Sequence, residues 1–252
     1  MKKVQPDTKA NWAVKEDDVK FDFLSNIMRA DFDLDNCDFY DYLSGNPHFK
    51  YSAHFKRYYD TYKCIEKAIG VPKNKKILEV GGASPISVFL CQNNEIFETE
   101  SDLRYTIDCG DNELDLIFAF EVVEHIKDQD HESFDDVVLF QGNGFEQFAK
   151  ECRRVLKKNG IMVLTTPNPN SYHAISCGID FKDTYVFRSH VREYTRDEIL
   201  KVYGGFKETY YDTRFNFFML GPIRERWRKL FESNGWATSH RGDDHFMVLE
   251  KA

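Results

Sequence analysis

The chain has 252 residues, of which 42% are hydrophobic, 15% aromatic and 30% charged, with a net charge of −8. That balance supports a packed core and excludes a disordered chain. The acidic excess argues against a broad basic face for nucleic acid, and no apolar run approaches the ~18 residues of a membrane-spanning helix.

The N-terminus, MKKVQPDTKANW, has no apolar stretch behind its lysines, so a signal peptide is not expected. Cys37, Cys64, Cys91, Cys109, Cys152 and Cys177 form no CxxC and read as reduced thiols, with the cytoplasm as default compartment. Residues 1–70 are rich in Asp, Phe and Tyr and lack a strong strand pattern. Apolar and aromatic residues at 55, 58, 59, 62, 65 and 69 predict a helix stopped by Gly70. KKILEVGG (75–82) predicts a short strand ending in glycines, and LDLIFAF (114–120) a second buried strand. GFEQFAKECRRVLKKNG (144–160) predicts an amphipathic helix capped by Gly160. GIMVLTTPNPN (160–170) predicts a third strand stopped by prolines. Thr195 and Glu198 form a capping box for a further helix. KETYYDTRF (207–215) and HFMVLEKA (245–252) read as closing strands. Strands alternating with helices predict an α/β, doubly wound, mostly parallel Rossmann-like sheet. The expected division is a helical lead-in or cap over 1–70 and the sheet domain over 71–252. Ligands of such sheets bind at the carboxyl ends of the strands.

Two motifs lie at such ends. ILEVGGASP runs a strand into a Gly-Gly turn, which lets the backbone approach a ligand; GxGxxG is absent, which disfavours a dinucleotide site. FEVVEHIKD places Glu121, Glu124 and His125 at i, i+3 and i+4. A helix starting there would project all three from one face. Two carboxylates and an imidazole suit Mg²⁺, Mn²⁺ or Fe²⁺ better than a structural zinc site. The alternative is a histidine that merely closes the strand end.

ILEVGG, LDLIFAFEVVEHI and RRVLKKNGIMVLTTPNPNSY, in that order, resemble the three main blocks of class I S-adenosylmethionine-dependent methyltransferases, over roughly residues 75–206. The resemblance implies that Glu79, Gly81 and Gly82 line the cofactor, with Phe120 beside them at the end of the second block. It also implies an acid on the ribose, for which Glu98, Glu100 and Asp102 all remain open. The interval from Gly82 to Leu114 is shorter than the two strands and a helix usual in that family. Arg57 and Tyr58 are candidates to close over the cofactor's carboxylate, with a solvated helix face as the alternative.

SHVREYTRDEI (189–199) adds His190, with Glu193 and Tyr194 beside it. ExxEH followed by HxxEYT resembles the metal-dependent 2′-O-methyltransferases of small-RNA 3′ ends. That resemblance implies a divalent ion, Mg or Mn, on Glu121, Glu124, His125 and His190. Without metal, His125 or His190 is the candidate general base. The loop 168–190 reads as a polar lid. With Arg188, Arg192, Arg57 and Tyr58 it points to a small hydroxylated or phosphorylated acceptor. IRERWRKLF (223–231) reads as a solvated amphipathic helix with Trp227 and Phe231 buried. The style of DLRY, TTPNPNSYHA and HVREYT resembles bacterial surface-polysaccharide (capsule) tailoring enzymes. That implies an O-methyltransferase acting on a sugar, nucleotide-sugar or related phosphorylated metabolite. The alternatives are an RNA 3′-terminal enzyme, disfavoured by the charge, and a non-catalytic cofactor-binding subunit.

Overall fold

The computed structural model describes residues 1–10, 38–46, 54–99, 101–130, 141–180, 182, 190–215 and 221–252. The strands are β1 (Lys2–Lys3), β2 (Lys76–Val80), β3 (Glu95–Glu98), β4 (Leu114–Phe120), β5 (Leu156–Pro167), β6 (Phe206–Arg214) and β7 (Asp244–Lys251). They form one seven-stranded sheet in the order β1-β3-β2-β4-β5-β7-β6. The central strands β3, β2, β4 and β5 are parallel. β7 runs against both β5 and β6, and β1 against β3. The helices are α1 (Asp38–Gly45), α2 (Phe55–Ile69), α3 (Pro85–Leu90), α4 (Asn143–Val155), α5 (Tyr172–Ile179), α6 (Arg196–Val202) and α7 (Gly221–Ser233).

Strand alternation builds a core on each face. Leu116, Phe118, Val163, Phe246 and Val248 face α1, α2 and α3 in one cluster. Ile117, Ala119, Met162, Leu164, Met247 and Leu249 face α4 and α6 in the other. On α2, Phe55, Tyr58, Tyr59, Tyr62 and Ile65 are buried as their spacing predicts, and Gly70 ends the helix with φ +74. The capping box at Thr195 and Glu198 is present in full.

Several expectations change. The interval between Gly82 and Leu114 is short as expected, with one helix and one strand among its described residues, but the sheet edge beyond β3 is taken by β1, which pairs Lys2 with Glu98. A two-residue strand has no periodicity to read, so it was invisible in the sequence. α4 ends at Val155, not at Gly160. Leu156 turns extended and pairs with Leu114, so sheet pairing overrides helix propensity there. The first half of loop 168–190 carries α5, which Ser171 caps by accepting the Ala174 N–H. In α7 Phe231 is buried, while Trp227 is only half-buried.

Candidate active site

Sheet register sets three strand ends side by side: Val80 pairs with Ala119, and Phe120 with Thr165. A cleft of about 710 Å³ opens over them, within the usual size of cofactor sites. Glu79, Gly81, Gly82 and Phe120 line its floor, Arg57 and Tyr58 come from α2, and Asp102 and Arg104 form part of the rim.

The glycine turn follows from crowding. Gly81 and Gly82 have φ of +84 and +96, where side chains are strained. A Cβ on Gly81 would also stand 2.7 Å from Cγ2 of Val122. Glu79 is 1% exposed, and its Oε2 accepts the Ser84 N–H at 2.8 Å. Burial pushes its carboxyl up to about 7, opposed by hydrogen bonds from Ser87 and Ser84.

Of the ribose candidates, Glu98 accepts the Ala83 N–H at 2.9 Å and faces the Lys2 ammonium at 3.3 Å. Asp102 is exposed at the rim and accepts Arg104 Nε at 3.1 Å and Nη2 at 2.8 Å. The Arg104 guanidinium holds that carboxyl below its usual range. Arg104 also donates to Asp130 at 2.9 Å. Glu100 lies outside the described residues, as does Arg188.

FEVVEH is not a helix start. Glu121 takes a left-handed φ of +55, and a single 3₁₀ turn spans Val123–His125. Glu121, Glu124 and His125 therefore do not project from one helix face. Glu121 turns to Arg57, Oε2 to Nη1 at 3.5 Å, with side chains 8% and 10% exposed. Burial alone would lower Arg57; the charges of Glu121, Tyr58 and Asp244 more than offset it.

Glu124, His125 and His190 converge instead, their ligand atoms all within 4.8 Å of one another. Glu124 is 0% exposed. Its Oε2 accepts the Thr166 hydroxyl at 2.9 Å, while Oε1 is buried with no hydrogen-bond partner. Burial, and next the charge of Glu121, push its carboxyl well above the usual range. His190 has a side chain 2% exposed, and its Nδ1 donates to Glu193 Oε1 at 3.2 Å, which orients the ring. A buried carboxylate oxygen lacking a donor, beside two imidazoles, fits a divalent cation.

Thr166 and Arg104 were not singled out from sequence. Thr166 becomes visible only through register, one residue beyond the strand position that pairs with Phe120. Arg104 lies within the turn at 103–105 and carries no spacing signal.

No family model matches the chain. Two Mycobacterium tuberculosis proteins, from two strains and each named "Probable S-adenosylmethionine-dependent methyltransferase", are 31% identical to it over 89 residues. That stretch is 35% of this chain and covers 24% of each relative's length. A solved S-adenosylmethionine-dependent methyltransferase from Archaeoglobus fulgidus superposes with a TM-score of 0.51 at 14% identity, over 77% of this chain and 94% of that one. The chain thus has the Rossmann-like fold of class I methyltransferases. Among the described residues, no helix is long and apolar enough to cross a membrane.

Proposed function

We propose that this chain is an S-adenosylmethionine-dependent O-methyltransferase, assisted by a divalent ion and acting on a hydroxyl of a sugar, nucleotide-sugar or related phosphorylated metabolite. In this reading Glu79, Gly81, Gly82 and Phe120 hold the cofactor's methionine half, and Asp102 with Arg104 borders its adenosine half. Arg57 and Tyr58 close the cleft from α2. The observation that carries the metal assistance is the buried Glu124 Oε1, which lacks a donor and lies beside His125 and His190. Glu124 also feels the carboxylates of Glu121 and Asp244, so added positive charge at this point relieves repulsion.

A divalent ion such as Mn²⁺ or Mg²⁺, held by Glu124, His125 and His190, would orient the acceptor hydroxyl and lower its pKa. Thr166 fixes the Glu124 carboxylate and Glu193 fixes the His190 ring, so the donor set is pre-formed. Of the three, His125 lines the cleft, as do Phe120 and Gly81. In the transfer, the acceptor oxygen forms a bond to the methyl carbon as the carbon–sulfur bond breaks, and the hydroxyl proton leaves to base. In-line placement of oxygen, carbon and sulfur supplies much of the rate. A neutral imidazole near pH 7 is a suitable proton acceptor.

Calorimetric titration with S-adenosylhomocysteine, then Mn²⁺, then turnover on a panel of nucleotide-sugars tests this in order. Failure to bind S-adenosylhomocysteine sinks the whole reading. Cofactor binding with no Mn²⁺ binding removes the metal and leaves a histidine base.

A further inference from the structure

Six large hydrophobic residues are exposed among the described residues, and Ile223, Leu230 and Trp236 fall together on α7 and the turn after it. A fourth, Ile179, ends α5. α5 and α7 meet through Tyr172 and Phe231, whose rings lie 5.1 Å apart. Four of the six therefore belong to one small satellite of the fold. Single exposed hydrophobics are ordinary, but a cluster calls for an occupant.

The geometry of α7 defines a stripe. Ile223, Trp227 and Leu230 stand at i, i+4 and i+7, on one side of the helix. Phe231, four residues after Trp227 and 4% exposed, borders the stripe and turns inward onto Tyr172. Arg224 and Arg226 flank the stripe at opposite edges, as 100° per residue requires. Between 221 and 241 the chain carries Arg224, Arg226, Arg228, Lys229 and Arg241 against Glu225 and Glu232, a local positive excess in a chain of net charge −8. Arg228 is committed to Glu225 and Glu232, Lys229 lies 3.8 Å from Glu225, Arg241 donates to the Ala237 and Asn170 carbonyls, and the Arg224 guanidinium lies over the Phe215 ring, which leaves Arg226 as the exposed cation at the stripe's edge.

We propose that this face of α7, with Trp236, docks the protein peripherally on an anionic lipid surface. The apolar stripe enters the boundary between headgroups and acyl chains, and Arg226 at its edge reaches back to lipid phosphates. The charge favours this occupant, because the basic rim complements anionic headgroups. A second copy of the chain is less suited: the exposed stripe offers on the order of a few hundred Å², well under the ~800 Å² per partner of a stable interface. The docking does not rest on the methyl-transfer reading.

The test is co-sedimentation of the full chain with vesicles of phosphatidylcholine alone and of phosphatidylcholine mixed with phosphatidylglycerol. Light scattering of the protein without lipid runs in parallel. The expected result is binding to the anionic vesicles only, weakened by salt, and reduced about ten-fold or more in Ile223→Ser/Leu230→Ser. Both positions are solvent-exposed, and an unchanged melting temperature shows that the variant is folded. Arg226→Glu, which leaves the stripe intact, is expected to weaken binding as well. No binding to anionic vesicles, or equal binding by the folded double variant, overturns the proposal. A dimer that the double variant dissolves also overturns it and assigns the face to a second copy.

Discussion

The main-chain carbonyl of Glu124 accepts the Val191 N–H at 2.7 Å. This bond ties the turn after β4 to the segment that enters α6. It sets the His125 and His190 rings edge to face, their centroids 4.8 Å apart. The two imidazoles are far apart in sequence, and this contact is what makes them one site.

Glu124→Gln keeps shape and removes charge. Burial already favours the neutral carboxyl at this position, so the fold is expected to survive with an unchanged or higher melting temperature. Mn²⁺ affinity is expected to fall more than about 100-fold, beyond the cost of outer-shell changes. Electron paramagnetic resonance of free Mn²⁺ reads this directly. Affinity within a few-fold of the parent would remove Glu124 from the metal set.

Glu193→Gln leaves all three proposed ligands in place and weakens the bond that orients His190. The expected loss in Mn²⁺ affinity is about 10- to 100-fold, with S-adenosylhomocysteine affinity unchanged. The same pair of titrations distinguishes this from a general loss of structure, which would lower both.

Arg57→Met leaves the Glu121 carboxylate buried and uncompensated. The expected cost is about 3–5 kcal/mol of stability. Adding Glu121→Gln should recover most of it, since no charge then remains to compensate. Urea unfolding of the two variants decides; no recovery in the double variant would mean that Arg57 acts mainly through packing.

Glu79 makes stability depend on pH. Its native carboxyl sits at about 7, above the ordinary 4.5, so the native state holds the proton more tightly than the unfolded chain. That contribution is fully present below the ordinary value and is lost as pH rises through 7. Across the window it amounts to about 3 kcal/mol. Glu79→Gln should flatten this part of the melting profile and raise the melting temperature at pH 8. An unchanged profile between pH 5 and 8 would show that Glu79 titrates normally.

Gly81→Ala places a Cβ on a left-handed residue against Val122. The backbone cost alone is about 1–2 kcal/mol, and the turn must shift to relieve the contact. A lower melting temperature together with weaker S-adenosylhomocysteine binding is expected; a fall in stability alone would place the turn away from the cofactor.

Features readable from sequence were those carried by local periodicity or local chemistry. Ile77, Leu78, Ile117 and Phe118 are apolar because their strands are covered on both faces, and that shows as uninterrupted apolar runs. Gly81 and Gly82 mark a turn that other residues cannot make. Thr195 and Glu198 bond within four residues of each other, so the helix start needed no tertiary information. What escaped were features set by distant partners. β1 exists because the edge of β3 offers hydrogen-bonding groups to Lys2 and Lys3. Gly160 belongs to a strand because β4 pairs with the residues around it.

The same division runs through the candidate site. The sequence by itself determined which residue types stand at the strand ends: Glu79 before the glycines, and Glu121, Glu124 and His125 after Phe120. Spacing along one chain names such candidates because each strand ends where its apolar run ends. It does not state which of them meet. Only the tertiary structure decided that Glu121 turns to Arg57 on α2, while Glu124 and His125 meet His190. The physical reason is a left-handed φ at Glu121 and a buried guanidinium from another part of the chain, which together separate two glutamates that stand three residues apart.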